Sequence, residues 1–413
     1  MAENYTYKNQ SVVELGTTEG DVEIRNCRRL DPQQGNEIII SGALTVYGDL
    51  DIEGSLKCDR LILKTRDRIT VLGNLIATSG VDARKGSIEV DENLDSRDIE
   101  VGASLRVGGD LNCVSAKAGA SIKVTGNAVA QRLTGGGSVK IQGDCQVERI
   151  AGGGSVGVYG TINAEELDAG GSGKVVDGTI TKVSVGGSFK AEGAIEIDEL
   201  DVGGSARVGS GSNVKNVDIG GTFKSDGDLE FGEIDVGGTV KLGGTAKGET
   251  VSVGGTFKSE GDLTLTGAIN VGGTVAVDGN LTCEDKIKVG GTVRVDGRIH
   301  TYRIIVGGEI AAEYTKATDG IRIGKRAEVR GPVESKEILI RERARTDSLH
   351  GDDIRIEERA RVGNLYGRKI YIERDAIVEG ETLYTESLES ENGVEFKVEP
   401  KKVDKLPDPE EMK

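Results

Sequence analysis

Residues 272–289 read GGTVAVDGNLTCEDKIKV, and three short alternating segments stand out in them: Val275-Ala276-Val277, Leu281-Thr282-Cys283 and Ile287-Lys288-Val289. In each, the outer two residues are apolar or small and share one side. Alternation of period two marks a strand with one face in and one face out. The segments are separated by Asp278-Gly279, by Glu284-Asp285-Lys286, and by Gly290-Gly291. Glycine tolerates positive φ, which suits it to corners. The stretch is therefore predicted to be one triangular coil with three short sides and six inward side chains. Each side would pair in parallel with the same side of the next coil, about 4.8 Å away.

The neighbouring coils fit the same template. Residues 254–271 supply Phe257/Ser259, Leu263/Leu265 and Ile269/Val271 as inward pairs, and residues 357–372 supply Ala360/Val362, Leu365 and Ile370/Ile372. The corner pairs Gly186-Gly187, Gly203-Gly204, Gly220-Gly221, Gly237-Gly238, Gly254-Gly255, Gly272-Gly273, Gly290-Gly291 and Gly307-Gly308 recur at steps of 17 or 18 residues. The phase runs upstream through Gly170, Gly153, Gly136, Gly119 and Gly102. Downstream it passes Gly324, Arg341, Glu357 and Glu373 without the paired glycines. A repeat this short is one coil of a stack, and stacking is what buries its core. The whole would be a rod of roughly 100 Å at the parallel-strand spacing.

Four stretches differ in texture. Residues 1–101 are irregular and are expected to hold an N-terminal cap and less regular coils. Residues 102–308 are glycine-cornered coils. Residues 309–393 keep the beat with charged corners, such as Arg341-Glu342-Arg343 and Glu357-Glu358-Arg359, where stacked charges of mixed sign can form ion-pair ladders. Residues 394–413 form a charged, proline-bearing tail, expected to be disordered.

Composition narrows the function classes. Aromatic residues make up 3% of the 413 and tryptophan is absent, which excludes a thick globular core. The 63 glycines and 5 prolines suit sheets and corners. A net charge of −17 argues against nucleic acid as the main partner. No signal peptide and no apolar run of membrane-spanning length is visible, and the chain reads as cytoplasmic. Of Cys27, Cys58, Cys113, Cys145 and Cys283, the last three fall on inward positions and read as small core residues of a reduced protein.

Few residues offer chemistry. Phe189, Phe223 and Phe257 recur every second coil, with Ala206 and Val240 between them, as a narrow core filling evenly would require. His300 and His350 are the two histidines, and His300 has no evident acid partner. A strict six-residue period, as in hexapeptide-repeat acyltransferases, does not persist. No inserted loop breaks the beat after residue 102 to build a polysaccharide cleft. GGTVAVDGN lacks the third glycine and the aspartate placement of the calcium-binding nonapeptide. No nucleophile–base pair, CxxC or phosphate loop appears. The expectation is no catalytic site, no cofactor and no metal.

Two outward ladders are predicted. One is basic: Arg106, Lys123, Lys140, Lys174, Lys190, Arg207, Lys224, Lys241, Lys258 and Arg294, interrupted by Gly157 and Ala276. The other is acidic or polar: Asp168, Ser184, Asp201, Asp218, Asp235, Ser252 and Asn270. Stacked like charges repel unless something neutralises them. Either flanking counter-charges do so on a solvated face, or the face docks a neighbouring rod or an anionic partner.

The strings Val46-Tyr47-Gly48-Asp49-Leu50, Ile141-Gln142-Gly143-Asp144-Cys145, Val277-Asp278-Gly279-Asn280-Leu281 and Val295-Asp296-Gly297-Arg298-Ile299 share a V/I-x-G-D/N/R-apolar beat. This beat resembles the bactofilin family of polymer-forming cytoskeletal proteins. AEVRGPVESKEILI and AIVEGETLYTESLE resemble it most closely. The resemblance implies an all-β, right-handed, three-sided parallel β-helix. It also implies nucleotide-free, end-to-end polymerisation through exposed terminal coils.

The chain is thus read as a non-enzymatic, self-assembling structural rod whose partner is itself, with other filament or scaffold proteins as further candidates. The end-to-end interface is expected at Leu383, Leu388, Val394, Phe396 and Val398, and lateral contacts at the two ladders. An adhesin-like surface or secreted rod is the alternative, and a carbohydrate-active β-helix enzyme comes third.

Overall fold

The computed structural model of the chain describes residues 4–409, and the chain divides into two compact units, Met1–Gly204 and Ser205–Lys413. Each is built of parallel strands stacked as a β-solenoid with about 17-residue spacing, without helix among the described residues. The expected all-β solenoid is borne out.

In the second unit the coil at 272–289 has a short strand, Thr274–Val277, and a long one, Leu281–Val289. The short strand pairs with Thr292–Val295 of the next coil, and the long one with Arg298–Val306. The second and third predicted sides therefore share one bent strand. The cause is local. In Leu229–Val236 the adjacent residues Gly232 and Glu233 both lie off the inward face. The alternation slips by one, and the strand turns while its backbone pairing continues. Eighteen-residue coils carry a third residue at this bend. Glu284-Asp285-Lys286 does so, and the ladder register shifts between Cys283 and Lys286 as at a bulge.

The six inward side chains Val275, Val277, Leu281, Cys283, Ile287 and Val289 are at most 2% exposed. Burial of each large aliphatic chain contributes about 1.5–3 kcal/mol. Phe189 in the first unit and Phe223 and Phe257 in the second are fully buried. Phe189 stacks on Gly173, and Phe223 lies between Ala206 and Val240, as even filling of the core requires.

The corner glycines are needed for a different reason from the one expected. None of Gly254, Gly272, Gly290 or Gly307 has positive φ. A Cβ on Gly272 would sit 2.3 Å from the carbonyl oxygen of Gly254, and one on Gly290 would sit 2.4 Å from that of Gly272. Close approach of backbone to backbone, coil upon coil, excludes any side chain there. The same holds in the first unit, where a Cβ on Gly136 would lie 2.0 Å from the Gly119 oxygen.

A second column explains the Gly-Asp/Asn beat. Asp262 Oδ1 accepts the Asn280 amide at 2.7 Å, and Asn280 Oδ1 accepts the Arg298 amide at 3.0 Å. In the first unit the relay runs Asn93, Asp110, Asn127, Asp144, Thr161, each side chain accepting the amide of the next residue named. These bonds satisfy amides at the corner or at the first residue of the strand that follows it. The glycine before every acceptor named but Asn93 leaves room for the carboxamide or carboxylate of the preceding coil: a Cβ on Gly279 would meet Asp262 Oδ1 at 2.3 Å.

Candidate assembly faces

Strand pairing places the predicted ladders as true columns. In the first unit Arg106, Lys123 and Lys140 are successive partners, Gly157 interrupts, and Lys174 pairs with Lys190. In the second, Arg207, Lys224, Lys241 and Lys258 are successive partners, followed by Ala276 and Arg294. They occupy the outward positions of the short strands.

The other column lies near the end of the long strands. Asp168, Ser184 and Asp201 are partners in the first unit, and Asp218, Asp235, Ser252 and Asn270 in the second.

Much of the basic column is neutralised by acids at the next corner, mostly of the following coil. Glu192 lies 3.0 Å from Lys174 and 3.1 Å from Lys190. Arg207 contacts Asp226 at 2.6 Å, and Lys258 contacts Asp278 at 3.1 Å. The hydrogen bond to Glu192 raises the pKa of Lys174, and that to Asp278 raises the pKa of Lys258. Lys174, then Lys190, lowers that of Glu192. Exposed pairs of this kind contribute little stability individually. Their effect is to cancel charge along the column.

At the C-terminal end Leu383, Leu388, Val394 and Phe396 are half-buried and Val398 is 43% exposed. Leu388 stands above Ile370 and Phe396 above Val378, both buried by a following coil. The strand Thr382–Ser390 meets only Lys401–Lys402 beyond it, at Leu383 and Tyr384. Its remainder, and Glu395–Phe396, carry a free edge among the described residues.

The segment read as a tail therefore contains two short paired strands, Glu395–Phe396 and Lys401–Lys402. The chain then folds back. The Val403 amide donates to the Tyr384 carbonyl, and Pro407 and Asp408 come near His350. Tyr366, between those tiers, is buried although its strand position faces outward.

At the other end, among the described residues, Asn4–Lys8 pairs on one side only, with Asp21–Arg25, and Val12–Leu15 only with Arg29–Pro32. A groove of about 1150 Å³ there is lined by residues including Tyr5, Tyr7, Leu15, Gln33 and Ser41. Sequence reasoning missed this N-terminal edge and the C-terminal strap. The alternating Tyr5-Thr6-Tyr7 was the available signal for the former.

The residues with chemical potential are dispersed. His300 is exposed between Thr282 and Lys316 in its column. His350 lies between Glu334 and Tyr366, and burial pushes its pKa down. All five cysteines are buried and free. Burial pushes the thiols of Cys58, Cys113 and Cys145 up to about 12, so they stay protonated at neutral pH. Among the described residues no group of three His, Cys, Asp or Glu gathers as a metal site. No helix among them is long and apolar enough to cross a membrane.

Stacked coils, buried unreactive thiols and strand edges at both termini define a repeat scaffold of the β-solenoid class. Within it, residues 251–350 match the family model described as Bactofilin: Polymer-forming cytoskeletal. Over that stretch the chain is similar to bactofilins, which bears out the resemblance carried by Val277–Leu281, Val295–Ile299 and AEVRGPVESKEILI. No curated protein and no solved structure matches the chain.

Proposed function

We propose that this is a structural protein that polymerises end to end into cytoplasmic cytoskeletal filaments, without nucleotide and without enzymatic activity. The observation that carries the reading is the match of residues 251–350 to a polymer-forming cytoskeletal family. The free strand edges at Asn4–Lys8 and at Ser387–Ser390 supply the physical means. An unpaired edge beside a partly exposed apolar end recruits another strand. Leu383, Leu388, Val394, Phe396 and Val398 are the proposed C-terminal contact. Nucleotide independence is inferred from the family.

Electron microscopy and light scattering of the purified chain, with and without added nucleotide, test the reading. Filaments are expected in both conditions and at high ionic strength, because apolar contacts resist salt. The double substitution Leu388→Lys, Phe396→Glu is expected to leave coils folded and filaments short or absent. A wild-type chain that stays monomeric throughout refutes the proposal.

A further inference from the structure

The cations and anions left without partners point to a side-by-side contact. In the second unit Arg207 and Lys258 are neutralised by Asp226 and Asp278, yet Lys224 and Lys241 between them have no ion pair among the described residues. On another face, in coils that overlap these by one, Asp218 and Asp235 likewise have none. All four side chains are exposed. Glu233, also exposed, lies at the bend just before Asp235.

Lys224 and Lys241 are direct ladder partners, as are Asp218 and Asp235. Both pairs therefore repeat at one coil spacing, about 4.8 Å. Like charges so close repel within each column. A face carrying the opposite charge at the same spacing relieves both repulsions at once. The chain itself carries that face.

We propose that Lys224 and Lys241 of one copy dock on Asp218 and Asp235 of a second copy, joining filaments laterally. The lysines line a shallow groove of about 280 Å³ with Ser225, Lys258, Asp226 and Glu260, and the partner carboxylates enter it. The two faces differ, so the contact is heterologous and propagates from copy to copy. Equal spacing sets the register: a slip of one coil leaves one charge of each pair unmatched. A polyanion would also suit the lysines, but it would leave Asp218 and Asp235 uncompensated. This contact rests on the polymer reading for its role as a filament bundler.

Three proteins test it: wild type, K224E/K241E, acidic on both faces, and D218K/D235K, basic on both. Wild-type filaments are expected to bundle at low salt. They should separate as the screening length falls towards and below about 8 Å near physiological ionic strength. Each variant alone should give single filaments, and an equal mixture should bundle again. Bundles in K224E/K241E alone, no rescue in the mixture, or bundling only with added polyphosphate would overturn the contact. Sedimentation of the mixture against each variant alone reads the side contact even if no filament forms. Loss of filaments and loss of the ladder contact are therefore separate results.

Discussion

Within the second unit the first corner of the coil is built in two ways. From Gly237 to Gly308 it is a pair of glycines, with the same pair of the preceding coil so near that a Cβ would fall 2.2–2.7 Å from its carbonyl oxygen. A four-residue strand follows, as at Thr256–Ser259. After Gly324 the corner is a charged turn whose third residue is left-handed: Arg326 at φ 56°, Arg343 at 59°, Arg359 at 58° and Asp375 at 59°. The strand that follows shrinks to three residues at Glu328–Arg330 and to two at Arg345–Thr346 and Arg361–Val362. Cross-coil ion pairs accompany it: Lys325–Glu342 at 2.9 Å, Arg374–Glu358 at 2.7 Å and Arg359–Asp375 at 3.8 Å. The inward columns nevertheless run on, Val293 to Ile310 to Val329. The core defines the repeat, and the corner has only to return the chain to it.

If that is right, both regions punish core charge alike. Val275→Asp and Ile287→Lys in one region, and Ile354→Lys in the other, each bury an ion beside apolar neighbours and should cost about 4 kcal/mol or more in denaturant unfolding. A much smaller loss at Ile354 would mean the charged-corner coils open independently.

The corners should respond with opposite signs. Gly254→Ala forces a methyl against the Gly237 carbonyl and should cost about 2 kcal/mol. Arg326→Gly removes a strained left-handed residue that makes no salt bridge among the described residues. It should raise stability by up to about 1 kcal/mol. Equal effects of the same sign would erase the distinction.

Acid separates the regions more gently. Lys325 lowers the pKa of Glu342, and Tyr371, with the Arg374 amide, lowers that of Glu391. A depressed native carboxylate contributes stability above its unfolded pKa and loses it as pH falls through the folded value. Amide exchange below about pH 4 should therefore rise first at the charged corners. The thiols report the opposite limit. Cys58, Cys113 and Cys145 should resist alkylation in the native state, and their contribution should fade as pH climbs above about 9, where only the unfolded thiols ionise. The smallest effect is expected for Lys258→Ala, which removes one solvated ion pair and should leave the unfolding midpoint nearly unchanged.

The period and the inward positions were legible because burial imposes them residue by residue: Val275 to Val289 alternate as they must. The Gly-Gly corners were visible but their cause was not, since a single coil does not reveal how near its neighbour lies. The bend inside the long strand was hidden for a related reason. Gly232-Glu233 looks like a turn, and only the ladder that resumes at Glu233 after skipping Gly232 makes it a strand. The ladders were readable as columns. Which of their charges had partners was not, because Asp226 and Asp278 reach across coils. The strap over Tyr366 left almost no trace, since VDKLPD resembles any polar tail.

The charged first corner and the Asp/Asn corner that follows the short strand also hand their amides along the chain in opposite directions. At the Asp/Asn corners the acceptor belongs to the earlier coil and the donor to the later one, as from Asp262 to Asn280. At the charged corners Glu357 and Glu373 reach back to amides already laid down, those of Glu342 and Glu358. Asp262→Ala should therefore speed exchange one coil downstream, at Asn280, and Glu357→Ala one coil upstream, at Glu342. In a chain made from its N-terminus each Asp or Asn acceptor is in place before its donor, Asn364 ahead of Glu381 included, so a finished coil is a mould for the next. The amides of Glu342 and Glu358 instead wait for a carboxylate from the coil that follows.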